Sequence, residues 1–273
     1  MSSADPNRPV LIGIPVYGRL ELLQRAVRAV DRHTPVEIEL VLIDDCGPDR
    51  LTESMLAEWL TSARAWRLIR HQTNAGFVSN ANEFFELAGD SDVIVLNSDV
   101  EVLPGWFEGL RAAITSKPRA ASASAMADNC PLLEVPELAR PGAQASLAAV
   151  RVAVPVAAKI PVAVGHCTWF HRRALAEVGS FDRAFDPGYG EEVDWSMRAS
   201  KTGWLHLAAL HSFVLHEGGA SFGWRRGWLR RWHELRLLRR YPLRWCWLRL
   251  VARNHHTAFG RARRRICKIL RAA

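Results

Sequence analysis

The chain has 273 residues, of which 49% are apolar and 23% charged, so the composition predicts a packed core and excludes an intrinsically disordered protein. That length suits one large α/β domain, or one domain with an appendage. The net charge of +8 is unevenly distributed, because residues 224–273 hold sixteen lysines and arginines with a single acid, Glu234, whereas the remainder is mildly acidic.

Strand and helix patterns alternate through the first hundred residues. Short apolar runs that end in proline or in polar residues predict buried strands at residues 10–15, 39–44, 66–70 and 92–97. Apolar residues at helical spacing predict helices at residues 20–32, 52–64 and 79–88. This alternation predicts a mostly parallel central sheet, in which ligands bind at the carboxyl ends of the strands.

The second half of the chain is less regular. Residues 120–163 are rich in alanine, proline and serine, so we expect an irregular crossover there that could cover a site. Beyond it, the pattern predicts a strand at residues 165–171 and helices at residues 173–178 and 190–201. Two short strand-like pieces follow at residues 204–216, and then a helical tail at residues 224–273 that is interrupted near Pro242.

Acidic residues follow two of the predicted strands. Asp99, in the Asn97-Ser98-Asp99 triplet, could ligate Mg²⁺ or Mn²⁺, with Glu101 as a second oxygen ligand and a diphosphate completing the shell. One acid of the Asp44-Asp45 pair, which also ends a strand, could accept a hydrogen bond from a nucleotide base or ribose. Each acid also has an ordinary structural interpretation, as a turn residue for Asp99 and as a helix cap for Asp45.

A turn before the third predicted helix carries several side-chain amides. Asn74, Gly76 and Asn82 lie where a helix N-terminus with nearby amides would suit a phosphate or a ribose, although ordinary turn chemistry would also explain them.

Three acids lie within four residues, at Glu191, Glu192 and Asp194. Because adjacent carboxylates repel one another and raise the pKa of at least one, the cluster is typical of a general base, although acids in a first helical turn also favour the helix dipole. His216 could ligate a metal through a neutral imidazole. A structural or surface role is the alternative for it and for four other histidines: His166, His171, His206 and His211.

Taken in order, these segments resemble glycosyltransferase family two, the inverting GT-A class, and its rhamnosyltransferase-like members in particular. The resemblance covers roughly residues 9–222 and includes Ile14-Pro15-Val16-Tyr17, Leu42-Ile43-Asp44-Asp45, Asn74-Ala75-Gly76-Phe77, Leu96-Asn97-Ser98-Asp99, Val178-Gly179-Ser180-Phe181-Asp182, Tyr189-Gly190-Glu191-Glu192-Val193-Asp194-Trp195 and Val214-Leu215-His216.

The resemblance implies an α/β GT-A fold and a role for each matching residue. Asp45 would contact the nucleotide base, with Pro15 and Tyr17 lining that end. Asp99 would be the main metal ligand of the family's DxD position, in which Asn97 replaces the first acid. His216 would help to bind the metal or the diphosphate. Glu192 would be the catalytic base, with Glu191 as the alternative candidate for that role. Asp194 and Trp195 would line the acceptor pocket.

The implied reaction moves a sugar from a nucleotide-diphosphate donor, with a UDP- or dTDP-sugar favoured, to a hydroxyl of a glycan or lipid-linked acceptor, as in the synthesis of cell-envelope polysaccharide. Mn²⁺ or Mg²⁺ is the implied cofactor. Glu192 would remove the hydroxyl proton, and the metal and helix N–H groups would stabilise the departing diphosphate.

The tail suggests a second partner. Trp224, Trp228, Trp232 and Leu235 recur at helical spacing among arginines, which favours either an interfacial helix on an anionic membrane or a stripe that packs on the catalytic body or on a second subunit of a homodimer. The chain lacks a recognised nucleic-acid motif, so no nucleic-acid partner is expected. We therefore divide the chain into a catalytic domain, residues 1–223, and a basic aromatic tail, residues 224–273.

The expected location is the cytoplasm, either free or peripheral on the inner face of the cell membrane. The five scattered cysteines argue against a disulfide framework, and the sequence lacks a signal-like N-terminus and any spanning apolar run of about 18 residues. Three other functions stay open: a catalytically silent module that binds a nucleotide-sugar or glycan, a peripheral membrane scaffold, and a nucleotidyltransferase, for which residues 12–19 offer only Arg19.

Overall fold

The first hundred residues alternate strand and helix, as their sequence pattern predicts. The computed structural model describes residues 9–218, 226–244 and 257–272. Its first seven elements are β1 (Val10–Val16), α1 (Leu20–His33), β2 (Glu39–Asp44), α2 (Glu53–Trp59), β3 (Trp66–Arg70), α3 (Phe77–Leu87) and β4 (Asp92–Leu96). Helix α2 ends earlier than predicted, and the backbone is extended at Leu60.

The following elements complete the body and the described part of the tail. They are β5 (Val100–Val102), α4 (Trp106–Thr115), β6 (Ala120–Ala127), α5 (Leu147–Ala153), β7 (Ala157–Ile160), β8 (Cys167–Phe170), α6 (Arg172–Val178), α7 (Glu191–Lys201), β9 (Leu205–His216), α8 (Arg226–Arg240) and α9 (Ala258–Arg271). The two predicted strand-like pieces at the end of the body are a single strand, β9.

All the described strands join one sheet, in the order β3-β2-β1-β4-β8-β6-β9-β5, with β7 paired to β9. The first four strands are parallel, and β6 is parallel to β9. In contrast, β8, β5 and β7 pair antiparallel with their neighbours. The prediction of a mostly parallel sheet therefore holds for the half that is formed by β1 to β4, whereas the whole sheet is mixed.

Residues 120–163 are only in part the irregular crossover that their sequence predicts, because residues 128–146 form turns and two short 3₁₀ helices, whereas regular elements lie on either side. All eight residues of β6 are buried, and this strand lies between β8 and β9 inside the sheet. Its sequence, AASASAMA, consists almost entirely of alanine and serine, so it lacks the large apolar and β-branched residues by which a buried strand is recognised. Helix α5 and strand β7 follow within the same stretch.

Helices cover both faces of the sheet, and each face has its own apolar cluster. On one face α1, α4 and α9 contribute, with Trp106 and Ile266 both fully buried. On the other face α3, α6, α7 and α8 contribute, with Phe84 and Leu237 buried. Gly13 in β1 permits the approach of α3, since a Cβ atom there would lie 2.4 Å from the ring of Phe84. The result is a three-layer α/β/α body.

Both described tail helices pack on this body. Helix α8 buries His233 and Leu237 at 3% and 2% exposure, whereas Trp228 and Trp232 are 71% and 49% exposed. The predicted stripe thus faces away from the body in its described part, so the expectation that it packs on the catalytic body is wrong there. Trp224 lies outside the described residues, and the domain division at residue 223 stays a prediction.

None of the helices within the described ranges is both long and apolar enough to cross a membrane.

Candidate active site

Neighbouring parallel strands carry polar residues to one edge of the sheet. Strands β2, β1 and β4 lie side by side, and Val16 at the end of β1 pairs with Asp44 at the end of β2. Asp45 directly follows β2 and Asn97 directly follows β4. Both residues therefore leave the sheet at its carboxyl edge, where open α/β sheets bind their ligands.

Asp45 is bonded to the loop that precedes α3. Its Oδ1 atom accepts hydrogen bonds from the N–H of Ala75 at 2.8 Å and from Nδ1 of His71 at 2.9 Å. Its Oδ2 atom accepts one from the N–H of Gly76 at 2.8 Å. The predicted contact with a nucleotide base would use the lone-pair position that remains on Oδ2. Asp44 is fully buried and accepts from the backbone of the following turn, so it has a structural role.

His71 bridges two carboxylates beside this loop, and the sequence pattern did not single it out. Its Nδ1 atom donates to Asp45, and its Nε2 atom lies 2.8 Å from Oε2 of Glu83. Burial lowers the pKa of His71, but the hydrogen bonds to Asp45 and Glu83 outweigh this effect and raise the pKa above its usual value. A positive charge on the His71 ring is therefore favoured beside the loop that precedes α3.

Gly76 has a packing role that only glycine can fill. Its φ is +83°, and a Cβ atom would lie 2.9 Å from the Cα of Pro187. The N–H of Phe77 donates to the carbonyl of Pro187 at 2.9 Å, so the loop before α3 rests on the loop before α7. Asn74, at the tip of the former loop, is exposed and open to a ligand.

Asn82 is bonded to one backbone segment. Its Nδ2 atom donates to the carbonyl of Phe181 at 3.0 Å, and its Oδ1 atom accepts from the N–H of Phe181 at 2.8 Å. The amide therefore has a structural role, and because one N–H and one lone pair remain on it, the predicted ligand contact stays a prediction. Pro15 is partly buried within β1, and the side chain of Tyr17 beside it is 44% exposed.

Asp99 and His216, the metal ligands that the resemblance implies, lie close together. Oδ1 of Asp99 lies 3.6 Å from Nε2 of His216. Residue 216 ends β9, and it pairs with Val100 at the start of β5, directly after Asp99. Antiparallel pairing of two strands that are distant in sequence thus brings the two side chains together. Asn97 and Ser98 are partly exposed beside them.

The ring of His216 is fixed by the loop after β6. Its Nδ1 atom lies 2.7 Å from the carbonyl oxygen of Asn129, and its backbone N–H donates to Asp128 at 2.7 Å. Because a carbonyl can only accept, Nδ1 carries a proton, and a neutral ring then presents its lone pair at Nε2, toward Asp99. The residues present fit a divalent ion, which would take its other ligands from water and phosphate.

The third predicted metal ligand is not part of this pair. Glu101 acts instead on His33 at the end of α1: burial and Arg32 lower the pKa of that histidine, and Glu101 opposes them. Over the part of the chain that the structure describes, no three His, Cys, Asp or Glu side chains form a group that could hold a metal ion. The prediction that Glu101 joins Asp99 and His216 is therefore wrong.

The other histidines near β9 have structural roles. His166 stacks on His216 with ring centroids 5.5 Å apart. Burial, with the neighbouring His216, lowers the pKa of His166 to about 3, so this ring is neutral. His206 bonds Ser122 and a backbone carbonyl, His211 bonds a backbone carbonyl, and His171 caps α6.

Glu191 and Glu192 share the first turn of α7 in different surroundings. Glu191 is 4% exposed, and burial together with the charge of Glu192 raises its pKa well above the usual value. Glu192 is partly exposed, and burial raises its pKa as well, although N–H groups at the helix start, including that of Gly190, oppose the rise. Glu191 therefore keeps the shared proton, and Glu192 is the carboxylate available as a base.

Asp194 and Trp195 are not walls of an open pocket. Asp194 is fully buried and accepts from Arg198 at 2.9 Å, from Arg240 at 2.6 Å and from the hydroxyl of Tyr241 at 2.9 Å. Trp195 is also fully buried, and its indole N–H donates to a backbone carbonyl. Their predicted acceptor contacts are wrong, since both residues fix α7 and attach α8 to it.

Cys130 lies beside His166. Its Sγ atom lies 3.6 Å from Nδ1 of His166, which stacks on His216. Burial raises the pKa of the Cys130 thiol to about 11, and the charges of Glu134 and Glu192 add to this rise.

Comparison with known proteins points to one family. Residues 11–179 match the family described as Glycosyl transferase family 2. An N-acetylglucosaminyl-diphospho-decaprenol L-rhamnosyltransferase from Mycobacterium tuberculosis is 26% identical over 236 residues, which cover 74% of this chain and 73% of the relative.

Two solved structures are similar in fold. The mannosyltransferase PcManGT from Pyrobaculum calidifontis, in complex with GDP-Man and Mn²⁺, has a TM-score of 0.63 at 17% identity, over 98% of this chain and 77% of that chain. GalNAc-T7 with UDP, GalNAc and Mn²⁺ has a TM-score of 0.57 at 18% identity, over 80% of this chain and 46% of that chain. These likenesses show the GT-A fold that the resemblance implies.

Proposed function

The chain belongs to glycosyltransferase family 2, and we propose that it moves one sugar, with inversion, from a nucleotide-diphosphate sugar to a hydroxyl of a lipid-linked glycan. The observation that carries this proposal is the Asp99–His216 pair at the carboxyl edge of the sheet, with Nε2 of His216 oriented toward Asp99. Glu192 lies in the first turn of α7, and the loop before that helix contacts Gly76, to which Asp45 is bonded.

Asp99 and His216 would hold a divalent ion, Mn²⁺ or Mg²⁺, that neutralises charge on the leaving diphosphate. Two protein ligands suffice for such an ion, because Mg²⁺ in particular keeps water and phosphate oxygens around it. The mannosyltransferase and the GalNAc-T7 structure both contain Mn²⁺. Asn97 replaces one acid of the DxD position, which leaves Asp99 as the only carboxylate of that triplet.

The nucleotide would lie across the ends of β1 and β2. The exposed ring of Tyr17 and the exposed amide of Asn74 flank Asp45 there. The charged form of His71 beside Asp45 would add to the attraction for the diphosphate. UDP- and dTDP-sugars stay the favoured donors.

Glu192 would act as the general base. Its carboxylate takes the proton of the acceptor hydroxyl while that oxygen forms a bond to the anomeric carbon. The bond from the anomeric carbon to the phosphate oxygen breaks on the opposite face, and its electron pair leaves with the nucleoside diphosphate. One attack from the face opposite the leaving group inverts the configuration.

The proposed acceptor is based on the acceptor class of a similar protein. The name of the mycobacterial relative describes a diphospho-decaprenol acceptor. A lipid-linked acceptor for this chain would place it in the cytoplasm against the inner face of the cell membrane, in the synthesis of a cell-envelope glycan. The basic tail supports that location, because anionic lipids attract clustered arginines.

A transfer assay tests this function. The purified protein is incubated with Mn²⁺, a glycan-diphospho-polyprenol acceptor and a panel of UDP-, dTDP- and GDP-sugars, and the product is analysed by mass and by anomeric configuration. We expect one donor to yield a lipid product with one added sugar and inverted configuration. If every donor binds but none is consumed, the chain is instead a silent nucleotide-sugar-binding module.

A further inference from the structure

Helix α8 has an inner face that holds the loop before the base. Nδ1 of His233 donates to the carbonyl oxygens of Gly188 and Tyr189, at 2.9 and 2.7 Å. Leu237 lies against Gly190, where a Cβ atom would come within 3.2 Å of its methyl group. Since Glu191 follows directly, α8 is packed against the start of the catalytic helix.

The outer face of α8 is apolar and uncovered among the described residues. Trp228, Trp232, Leu235 and Leu238 are 71%, 49%, 52% and 39% exposed. The two indole rings stack on each other, with centroids 6.0 Å apart and planes at 7°. Large apolar side chains that cluster on one surface, rather than occurring singly, are typical of a binding surface.

The charge of this outer face is positive. Residues 226–240 include six arginines and one acid, Glu234. At 3.6 residues per turn, Arg231 and Arg239 lie on the same side of the helix as the tryptophans, whereas Glu234 lies to one flank, where it pairs with Arg230 at 3.2 Å. A groove of about 350 Å³ along this face is lined by Trp232, Leu235, Arg236, Arg239 and Arg240.

We propose that the outer face of α8 docks on the surface of an anionic phospholipid bilayer. Tryptophan and leucine side chains enter the boundary between head groups and acyl chains, and arginines beside them bind lipid phosphates. A second copy of the chain fits this face poorly. In a two-fold dimer each face meets itself, which would bring Arg231 and Arg239 against the same positive charges.

This docking surface would set the height of the active site above the membrane. A helix with its side chains is about 10–12 Å across. Because the inner face of α8 contacts Gly188, Tyr189 and Gly190, the base loop would lie about one helix diameter from the lipid head groups. An acceptor hydroxyl anchored to lipid through a diphosphate could reach that height. This inference goes beyond the proposed reaction, since it concerns a surface that takes no part in the chemistry.

Vesicle sedimentation tests the docking surface without donor or acceptor, so its failure would leave the transferase proposal intact. The full chain is mixed with vesicles of phosphatidylcholine alone, or of equal parts phosphatidylcholine and phosphatidylglycerol. We expect binding to the anionic vesicles only, weakened by salt. Trp228→Ser combined with Trp232→Ser should lower the partition coefficient at least about tenfold.

Matched variants distinguish specific docking through the outer face of α8 from non-specific adsorption and from unfolding. Val152→Ser changes a residue of α5 that is 89% exposed and should leave vesicle binding unchanged. Arg231→Gln combined with Arg239→Gln keeps the tryptophans and should weaken binding to anionic vesicles. Absence of wild-type binding would overturn the proposal, as would full binding by both double variants. A loss of oligomeric mass in the tryptophan variant, with vesicle binding retained, would assign the face to a second copy instead.

Discussion

Oδ2 of Asp45 accepts a 2.8 Å hydrogen bond from the backbone N–H of Gly76, and this bond joins the end of β2 to the start of α3. Gly76 in turn rests on Pro187, in the loop that leads to Glu191 and Glu192. The donor side and the base side of the site are therefore packed against each other through one glycine. A change at this contact should affect both sides.

Replacement of Gly76 by alanine should be more harmful than the same change at Gly142. Both residues have a positive φ, +83° and +82°, but ψ is 165° at Gly76, a region that is nearly restricted to glycine, and −11° at Gly142, in the left-handed helical region, where alanine costs about 1–2 kcal/mol. Only at position 76 does the new methyl group meet a neighbour, Pro187 at 2.9 Å. We expect Gly76→Ala to lose about 1–3 kcal/mol more in thermal unfolding, and to weaken nucleotide binding. Equal losses would contradict both the backbone restriction at Gly76 and its contact with Pro187.

The bridge made by His71 should stabilise the fold in a pH-dependent way. Because its folded pKa is raised above the unfolded value of about 6.5, the stabilisation is complete below that pH and declines as the pH rises through the folded pKa. His71→Gln should therefore cost about 1–2 kcal/mol at pH 6 and less at pH 9. Thermal unfolding of both proteins at the two pH values measures this difference. A cost that grows with pH would contradict the bridge.

The two glutamates of α7 should respond differently to removal of charge. Glu192→Gln should lower kcat by about 10²–10⁴ with little change in the KM for the donor, because it removes the general base. Glu191→Gln imitates the protonated acid already present and should retain most of kcat. The wild-type rate should fall as the pH falls through the raised pKa of Glu192, above the usual range of a glutamate. The opposite ranking of the two variants would make Glu191 the base.

Glu191 should also destabilise the folded chain at neutral and higher pH. Its folded pKa is raised by burial and by Glu192, so the native state keeps a proton that the unfolded chain releases, and stability falls as the pH rises through that interval. We expect Glu191→Gln to raise the Tm at pH 8, with a smaller rise at pH 4. Each kcal/mol corresponds to about 2–4 °C in a chain of this size. An unchanged or lower Tm at pH 8 would contradict the buried shared proton.

The sequence predicted the parallel half of the sheet and the polar residues at its edge, because apolar runs of strand length and their polar ends are local signals. It failed at β6, because a strand built almost entirely of alanine and serine lacks the large apolar and β-branched residues that mark a buried strand. The Asp99–His216 pair was named from a resemblance, but its geometry depends on the antiparallel pairing of β5 with β9, which no local pattern encodes.

Several residues of the site motifs proved to be structural, for a common physical reason. Asn82, Asp194 and Trp195 carry polar groups that could bind a ligand, yet each is paired with groups distant in sequence. A buried polar group must find a partner, and the sequence does not say which one. For the same reason His71 and His233 were missed, since their roles depend on loops that only the fold brings to them.

Calorimetric titration of UDP, dTDP and GDP, with and without Mn²⁺, tests the metal-assisted nucleotide site most directly. The wild-type chain is compared with Asp99→Ala and with Glu101→Ala, a nearby acid that lies apart from the pair. We expect that one nucleotide binds, that Mn²⁺ strengthens its binding by about tenfold or more, and that this gain is lost in Asp99→Ala but kept in Glu101→Ala. If no nucleotide binds in the presence of Mn²⁺, or if the gain survives in Asp99→Ala, the assignment of Asp99 and His216 is contradicted.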